Sequence, residues 1–361
     1  MDLLRIDGSY GEGGGQILRT ALSLAALTGT AVRLENIRAR RRKPGLAAQH
    51  LTAVKAVALL CDARIEGADL GSQTLEFIPC RSVRAGDYTL DVEEAREGGS
   101  AGAIMLVLQA ILPPLALAEG ASTVSLRGGT HVPMSPPFDY VREVWLPTLA
   151  RMGVRAELSL IRSGWYPIGK GEARLTVEGG RWPLKALKAR NRGTLQAVTG
   201  RALAANLPAH IPERMAARAQ RILADAGIVA AIEPAVLQAA CAGAGLFLTV
   251  RYDHCLAGFT ALGQRGKTAE RVAEEACGAL LAHYRSGAAL EEHLADQIVL
   301  LAALCPEESL FSVERISPHL TTNAWVVERF GLARVDIRPA DCGTGLVRIR
   351  GNPSGVCHAH P

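Results

Sequence analysis

Lysine and aromatic residues are both sparse in this chain. Only Lys43, Lys55, Lys170, Lys185, Lys188 and Lys267 are lysine, so 6 of the 40 basic residues are Lys and 34 are Arg. Aromatics make up 4 % of 361 residues, which leaves Leu, Val, Ile and Ala to fill the core. The net charge of +5 is too mild for a surface that grips nucleic acid throughout. The eight cysteines (Cys61, Cys80, Cys241, Cys255, Cys277, Cys305, Cys342, Cys357) form no C-x-x-C pair, a scatter that suits buried thiols in a reducing cytosol. Arg5 and Asp7 stand where a secretory signal needs its apolar stretch, so a cytoplasmic chain is expected. The longest uncharged run, residues 98–118, is interrupted by Gln109 and by Pro113-Pro114. It reads as a buried helix followed by a loop, not as a membrane span.

What is present is a globular composition: 48 % hydrophobic, 21 % charged, mean hydropathy +0.14, in a length that suits two or three domains. Hydrophobic periodicity predicts a strand at 3–6, a helix at 15–28, a strand at 31–37, a helix at 47–60, and strands at 63–66 and 74–78. The same β-α-β-α-β-β order recurs at 88–92, 101–112, 123–126, 139–152, 155–160 and 173–177. Glu12-Gly13-Gly14 reappears as Glu97-Gly98-Gly99, each opening an apolar helix. A third copy assembles from 294–304, 310–316, 323–330, 333–337 and 346–349, with 184–189 as its displaced first strand. About a hundred residues lie between, with strands at 195–204, 229–233 and 246–251 and helices at 213–226 and 268–284. The expected division is a repeat domain of 1–186 and 287–361 interrupted by a small α/β insert at 187–286.

Gly11-Glu12-Gly13-Gly14-Gly15-Gln16 lies between a strand and a helix, where glycines let backbone N–H groups approach a phosphate. A tight turn would also use glycines, but it does not require Glu12, whose carboxylate is suited to a divalent cation. Arg38, Arg40, Arg41, Arg42 and Lys43 leave a strand and enter a loop, and with Arg19 they form a candidate oxyanion or RNA phosphate site. Such a run is otherwise a solvated face. Gly164 to Lys170 has P-loop spacing, yet Gly171 stands where Ser or Thr would be needed; the segment reads as a turn between antiparallel strands. The tail Cys357-His358-Ala359-His360 reads as a frayed end, and His50, His131, His210, His254 and His283 as ordinary surface or core histidines.

Two histidines differ. His293-Leu294-Ala295-Asp296-Gln297 opens an apolar helix, which puts His293, Asp296 and Gln297 on neighbouring first-turn positions. His319 follows Pro318, and Thr321 or Thr322 is expected to cap the helix after it. An imidazole beside a helix N-terminus stays neutral and can attack phosphorus.

Taken together, GEGGGQILR from Gly11, IRARRRKPGLAAQHLTAVKA from Ile37, SAGAIMLVLQ from Ser100, HLADQ from His293 and HLTTNAWVVERF from His319 resemble the RNA 3′-terminal phosphate cyclases across nearly the whole chain. The resemblance implies an α/β fold of the α+β type: three repeats like the C-terminal domain of translation initiation factor three, plus a small thioredoxin-like insert. It implies ATP as cosubstrate, a divalent cation (Mg or Mn), and an RNA 3′-phosphate end converted to a 2′,3′-cyclic phosphate through a histidine–AMP intermediate on His319. By the same resemblance Glu12 would hold the metal, and Arg19, Arg38, Arg41 and Gln49 would line the path of the phosphates and RNA end. Gln109, Pro136, Tyr140, His293, Leu294, Ala295, Asp296 and Gln297 would form the adenosine pocket, with His293 standing where many relatives have tyrosine. A cyclase-like ribosome-biogenesis protein, acting as nuclease or assembly factor, is the nearest rival, and His319 argues against it. A pure RNA-binding module and an enolpyruvyl transferase are further alternatives; no sugar- or shikimate-binding constellation is evident for the latter.

Overall fold

A computed structural model describes residues 3–92, 101–180 and 183–352. The second glycine turn at 97–99, the stretch from Glu93 to Ser100 and the Cys357–His360 tail lie outside the described residues. The first repeat runs β1 (Leu4–Asp7), α1 (Gly15–Thr28), β2 (Val32–Glu35), α2 (Ala48–Cys61), β3 (Arg64–Glu66) and β4 (Leu75–Ile78). Its sheet has the order β1-β2-β4-β3, with β1 and β2 parallel and the other pairs antiparallel. Residues Ile17, Leu18 and Thr20–Leu27 of α1 are all buried, because α2, α3 and α10 (below) pack around it.

The second repeat follows: β5 (Asp87–Asp91), α3 (Ile104–Leu117), β6 (Ala121–Gly128), α4 (Phe138–Tyr140), a π turn (Val141–Trp145), α5 (Leu146–Arg151), β7 (Arg155–Arg162) and β8 (Gly171–Glu178). The sheet order β5-β6-β8-β7 repeats the first. Here α3 overturns the loop expected after residue 112, since it continues through Pro113 and Pro114. Pro114 cannot donate to the Ala110 carbonyl, and the Ser23 hydroxyl of α1 takes over, at 2.6 Å. The helix expected at 139–152 contains the π turn, in which Leu146 N–H bonds the Val141 carbonyl. Pro147 explains it: its ring would strike the Glu143 carbonyl in a regular helix.

The displaced strand is β9 (Lys188–Ala189), paired in parallel with β14 far along the chain. Between them come β10 (Leu195–Ala205), α6 (His210–Asp225), β11 (Ala230–Leu237), β12 (Gly243–Tyr252), β13 (Leu256–Leu262) and α7 (Ala269–Ser286). These strands make their own sheet, β11-β10-β12-β13, with α6 and α7 packed on each other and against it. Strand β13 escaped the periodicity reading because Leu256–Phe259 are buried in succession, without alternation. Then α8 (Glu292–Gln297), α9 (Val299–Ala303), β14 (Ser309–Val313), α10 (Pro318–Arg329), β15 (Ala333–Pro339) and β16 (Gly345–Gly351) complete the third repeat. Read from β9, its order β9-β14-β16-β15 is again that of the first. The single helix expected at 294–304 divides at Ile298 into α8 and α9.

The β11-β10-β12-β13 sheet meets the second repeat through a buried polar cluster. Asp139 accepts from His131 Nε2 at 2.9 Å and from Arg201 of β10 at 2.9 Å, while Thr130 Oγ1 lies 2.7 Å from His131 Nδ1. The His131 ring stacks on Trp165 at 4.5 Å. His283 pairs with Glu314 at 3.0 Å. Both are buried core histidines, each paired with a carboxylate. Among the described residues no helix is long and apolar enough to cross a membrane.

Candidate active site

Copies one and three bring α1, α8, α10 and the loop after β2 into one place. Gly11 and Gly13 have φ of 53° and 63°, and a Cβ on Gly11 would stand 2.4 Å from Thr322 Oγ1. Glycine there lets α10 close on the turn, where Glu12 N–H donates to Thr322 Oγ1 at 3.2 Å. Gly14 is the N-cap of α1 and offers no side-chain cap, so the first-turn N–H groups of this 14-residue helix have no side chain capping them.

On the other side Ser317, not Thr321 or Thr322, caps α10: its Oγ accepts from Leu320 N–H at 3.1 Å, with Pro318 in the first helical position. His319 therefore belongs to the first turn of α10. Thr322 donates instead to the Pro318 carbonyl at 2.6 Å. His319 Nδ1 lies 3.7 Å from Glu12 Oε2, and Glu12 Oε1 is ion-paired with Arg41. Among the described residues, neither His319 Nδ1 nor Glu12 Oε2 has a hydrogen-bond partner, and both are buried. Burial, then the positive fields of His293, Arg19 and Arg41, hold the His319 imidazole below its ordinary value, so it is neutral near pH 7.

Beneath lies a polar network. Gln16 Nε2 donates to Asp296 Oδ1 at 2.8 Å, Asn323 Nδ2 to the Asp296 carbonyl at 2.8 Å, and Thr20 Oγ1 to Asn323 Oδ1 at 2.8 Å. Burial pushes the Asp296 carboxyl up to about 7 and the Arg19 guanidinium down to about 10. Glu291, the N-cap of α8, accepts from the His293 and Leu294 N–H groups at 2.7 Å and from the Tyr140 hydroxyl at 2.5 Å.

The structure thus joins Glu12, Arg19, Arg41, Asp296 and His319 by contact or field. His293 projects outward, 64 % exposed, and among the described residues the buried Gln297 Oε1 and Gln109 Nε2 have no hydrogen-bond partner. Leu294 and Ala295 have fully buried side chains. Tyr140 is buried too, its ring against Gly258 of β13. Arg38 adopts φ 53° and donates to the Gly45 carbonyl at 2.6 Å. Among the described residues no hydrogen bond or ion pair ties Gln49, Gln109 or Pro136 to the network. Sequence reasoning gave Gln16, Thr20, Thr322 and Asn323 no role in the site. The spacing of Gln16, Arg19 and Thr20, which puts them on one helix face, was a usable signal.

No group of three or more His, Cys, Asp or Glu among the described residues could hold a metal ion. A cation here would draw on Glu12 Oε2, a hard oxygen donor, with phosphate and water completing its shell.

The family described as RNA 3′-terminal phosphate cyclase matches residues 10–337. A protein of that name from Methylococcus capsulatus is 90 % identical over 361 residues, covering the whole of both chains. Another from Trichormus variabilis is 53 % identical over 339 residues, 94 % of this chain and 97 % of that one. One from Methanopyrus kandleri is 43 % identical over 357 residues, 97 % and 99 % of the two chains. Among solved structures, the enolpyruvyl transferase NikO from Streptomyces tendae matches with a TM-score of 0.25 and 15 % identity over 48 % of this chain and 33 % of that one, too slight a likeness to bear on the fold.

Proposed function

The chain belongs to the RNA 3′-terminal phosphate cyclase family, and from the geometry around His319 we propose how it performs that reaction. Its imidazole attacks the α-phosphorus of ATP; pyrophosphate leaves, and a histidine–AMP phosphoramidate forms. An oxygen of an RNA 3′-phosphate then attacks that phosphorus, displaces His319 and gives RNA(3′)pp(5′)A. The vicinal 2′-hydroxyl attacks the 3′-phosphorus, AMP leaves, and the 2′,3′-cyclic phosphate remains. A phosphate monoester is a poor electrophile, and adenylation supplies AMP as leaving group.

The observation that carries this reading is a neutral imidazole in the first turn of α10, 3.7 Å from Glu12 and facing the glycine turn before α1. Its side chain is 40 % exposed although Nδ1 is buried, so the exposure lies on the rest of the ring. With the Nδ1 proton directed at Glu12, the Nε2 lone pair is the nucleophile. A divalent cation on Glu12 would neutralise triphosphate charge and polarise the α-phosphate. Arg19, Arg38, Arg41 and Gln49 are read as the phosphate and RNA-end side. Gln109, Pro136, Tyr140 and the α8 segment from His293 to Gln297 are read as the adenosine side. The three like-ordered sheets support repeats of the initiation-factor type, and the separate sheet of β10–β13 with α6 and α7 is read as the thioredoxin-like insert, with β9 left to the third repeat.

The test is incubation with α-³²P-labelled ATP and divalent metal, followed by denaturing electrophoresis. An acid- and hydroxylamine-labile band, absent in His319→Ala, is expected. A band that survives in His319→Ala, or no band from folded protein that binds ATP, refutes the intermediate.

A further inference from the structure

His50 lies 35 residues from the glycine turn in sequence and touches it in space. It is 4 % exposed and sits in the first turn of α2, where Nδ1 accepts from the Ala47 N–H at 3.1 Å. Accepting there fixes the tautomer, because a nitrogen that receives a hydrogen bond carries no proton, so the neutral ring bears its proton on Nε2. That nitrogen points at the start of α1. A Cβ on Gly15 would stand 2.1 Å from His50 Nε2 and 3.1 Å from an Arg19 guanidinium nitrogen. The missing Cβ of Gly15 is therefore what gives the imidazole its place over the first turn. Among the described residues nothing accepts a hydrogen bond from Nε2.

Three kinds of donor converge on that point: the first-turn N–H groups of α1 without a side-chain cap, the Arg19 guanidinium and the His50 Nε2–H. We propose that His50 is a phosphate-contacting residue of this enzyme, donating Nε2–H to a phosphate oxygen seated between Arg19 and the N-terminus of α1. Burial and the fields of Arg19 and Arg38 hold the imidazole down to about 3, so it acts as a neutral donor throughout the working pH range. Being neutral, it adds a directed hydrogen bond without further repelling the two arginines already there. The ligand chemistry is a phosphate with terminal oxygens, supplied either by ATP or by the RNA 3′-phosphate. Its identification as one of these rests on the function proposed above; the donor geometry does not.

Two substitutions separate contact from scaffold. His50→Asn keeps an acceptor for the Ala47 N–H and removes the distal donor. His50→Gln restores a donor near Nε2 and gives up the acceptor. Calorimetric binding of ATP, and of an oligoribonucleotide ending in 3′-phosphate with its 3′-hydroxyl counterpart as control, needs no adenylation, so failure of the histidine–AMP reading leaves this test intact. His50→Asn is expected to weaken one phosphate ligand about tenfold or more, with little change in Tm and no effect on the 3′-hydroxyl control; His50→Gln recovers most of the loss. Weakening in the ATP arm places the triphosphate at this point, and weakening in the RNA arm places the 3′-phosphate there. Unchanged affinity of His50→Asn in both arms overturns the proposal. So do equal losses in both variants that track a fall in Tm, since those mark a purely structural residue.

Discussion

Replacing Asp296 with Asn should stabilise the free protein, and by an amount that grows with pH. Asp296 is 5 % exposed; its Oδ1 accepts from Gln16 and its main-chain carbonyl from Asn323, and the fields of His293 and then Arg19 favour its charged form. Burial outweighs these partners and raises the carboxyl from 3.8 to about 7. A carboxyl raised on folding binds its proton more tightly in the native state. Native stability is therefore fully present below about pH 4 and lost as pH rises through about 7. A displacement of that size corresponds to about 4 kcal/mol at 1.36 kcal/mol per pH unit. Asn carries no charge at any of these pH values and keeps an oxygen for Gln16. The variant should match the wild type near pH 4 and gain progressively to pH 8. Unfolding entropy of about 2.1 cal/mol/K per residue makes 4 kcal/mol worth about 5 °C in a chain of this length. The assay is a pair of thermal melts from pH 4 to 8, read as the difference between the two proteins so that every other titrating group cancels. A Tm difference that stays constant within about 1 °C over that range refutes the reasoning.

Removing the Arg41 charge should raise the His319 pKa in metal-free protein towards, but not to, its ordinary value, because burial is the larger cause; an NMR titration of the imidazole in Arg41→Ala reads this directly, and an unchanged midpoint contradicts it. Gly11→Ala forces a Cβ against Thr322 Oγ1 at φ 53° and should cost about 1–3 kcal/mol. Most of the steric part should disappear in a Thr322→Ala background, so a double-mutant cycle in urea that shows simple additivity would count against the close approach. Asp139 is held below the usual carboxylate range because His131, Arg201 and Arg142 together outweigh its burial. Asp139→Ala strands these partners and should cost about 3–5 kcal/mol in urea unfolding; a loss under about 1 kcal/mol would mean the cluster does not couple the β10–β13 sheet to the second repeat.

The repeat was legible because its unit is short and its helices are apolar enough for periodicity to survive. What the chain hid were effects set by a distant partner. Pro113-Pro114 is a sound stop signal locally, and only the Ser23 hydroxyl, 90 residues upstream, makes continuation tolerable. His131 and His283 looked solitary because Asp139 and Glu314 come from other elements. The cap of α10 is a different case. Ser317-Pro318 is a proper N-cap and first-turn pair, and giving weight to the threonines placed the helix start several residues late.

That shift alters how the three copies compare. In each repeat the second residue of the second helix is Gln49 in α2, Asp139 in α4 and His319 in α10. One backbone position has thus been given three chemistries. In copy two the side chain turns inward, and Asp139 is spent on His131 and Arg201. In copy three His319 stays open and neutral beside Glu12. In copy one it is the neighbour of Gln49, His50, that lies against the start of α1, where the proposed phosphate contact lies. Side chains from the early turns of two of these helices, His50 of α2 and Thr322 of α10, lie where a Cβ on Gly15 and on Gly11 would stand, so both helices reach the glycine-rich start of α1. In the proposed reaction, repetition of the β-α-β-α-β-β unit would place two helix starts beside one phosphate site, with His319 attacking from one and His50 holding from the other.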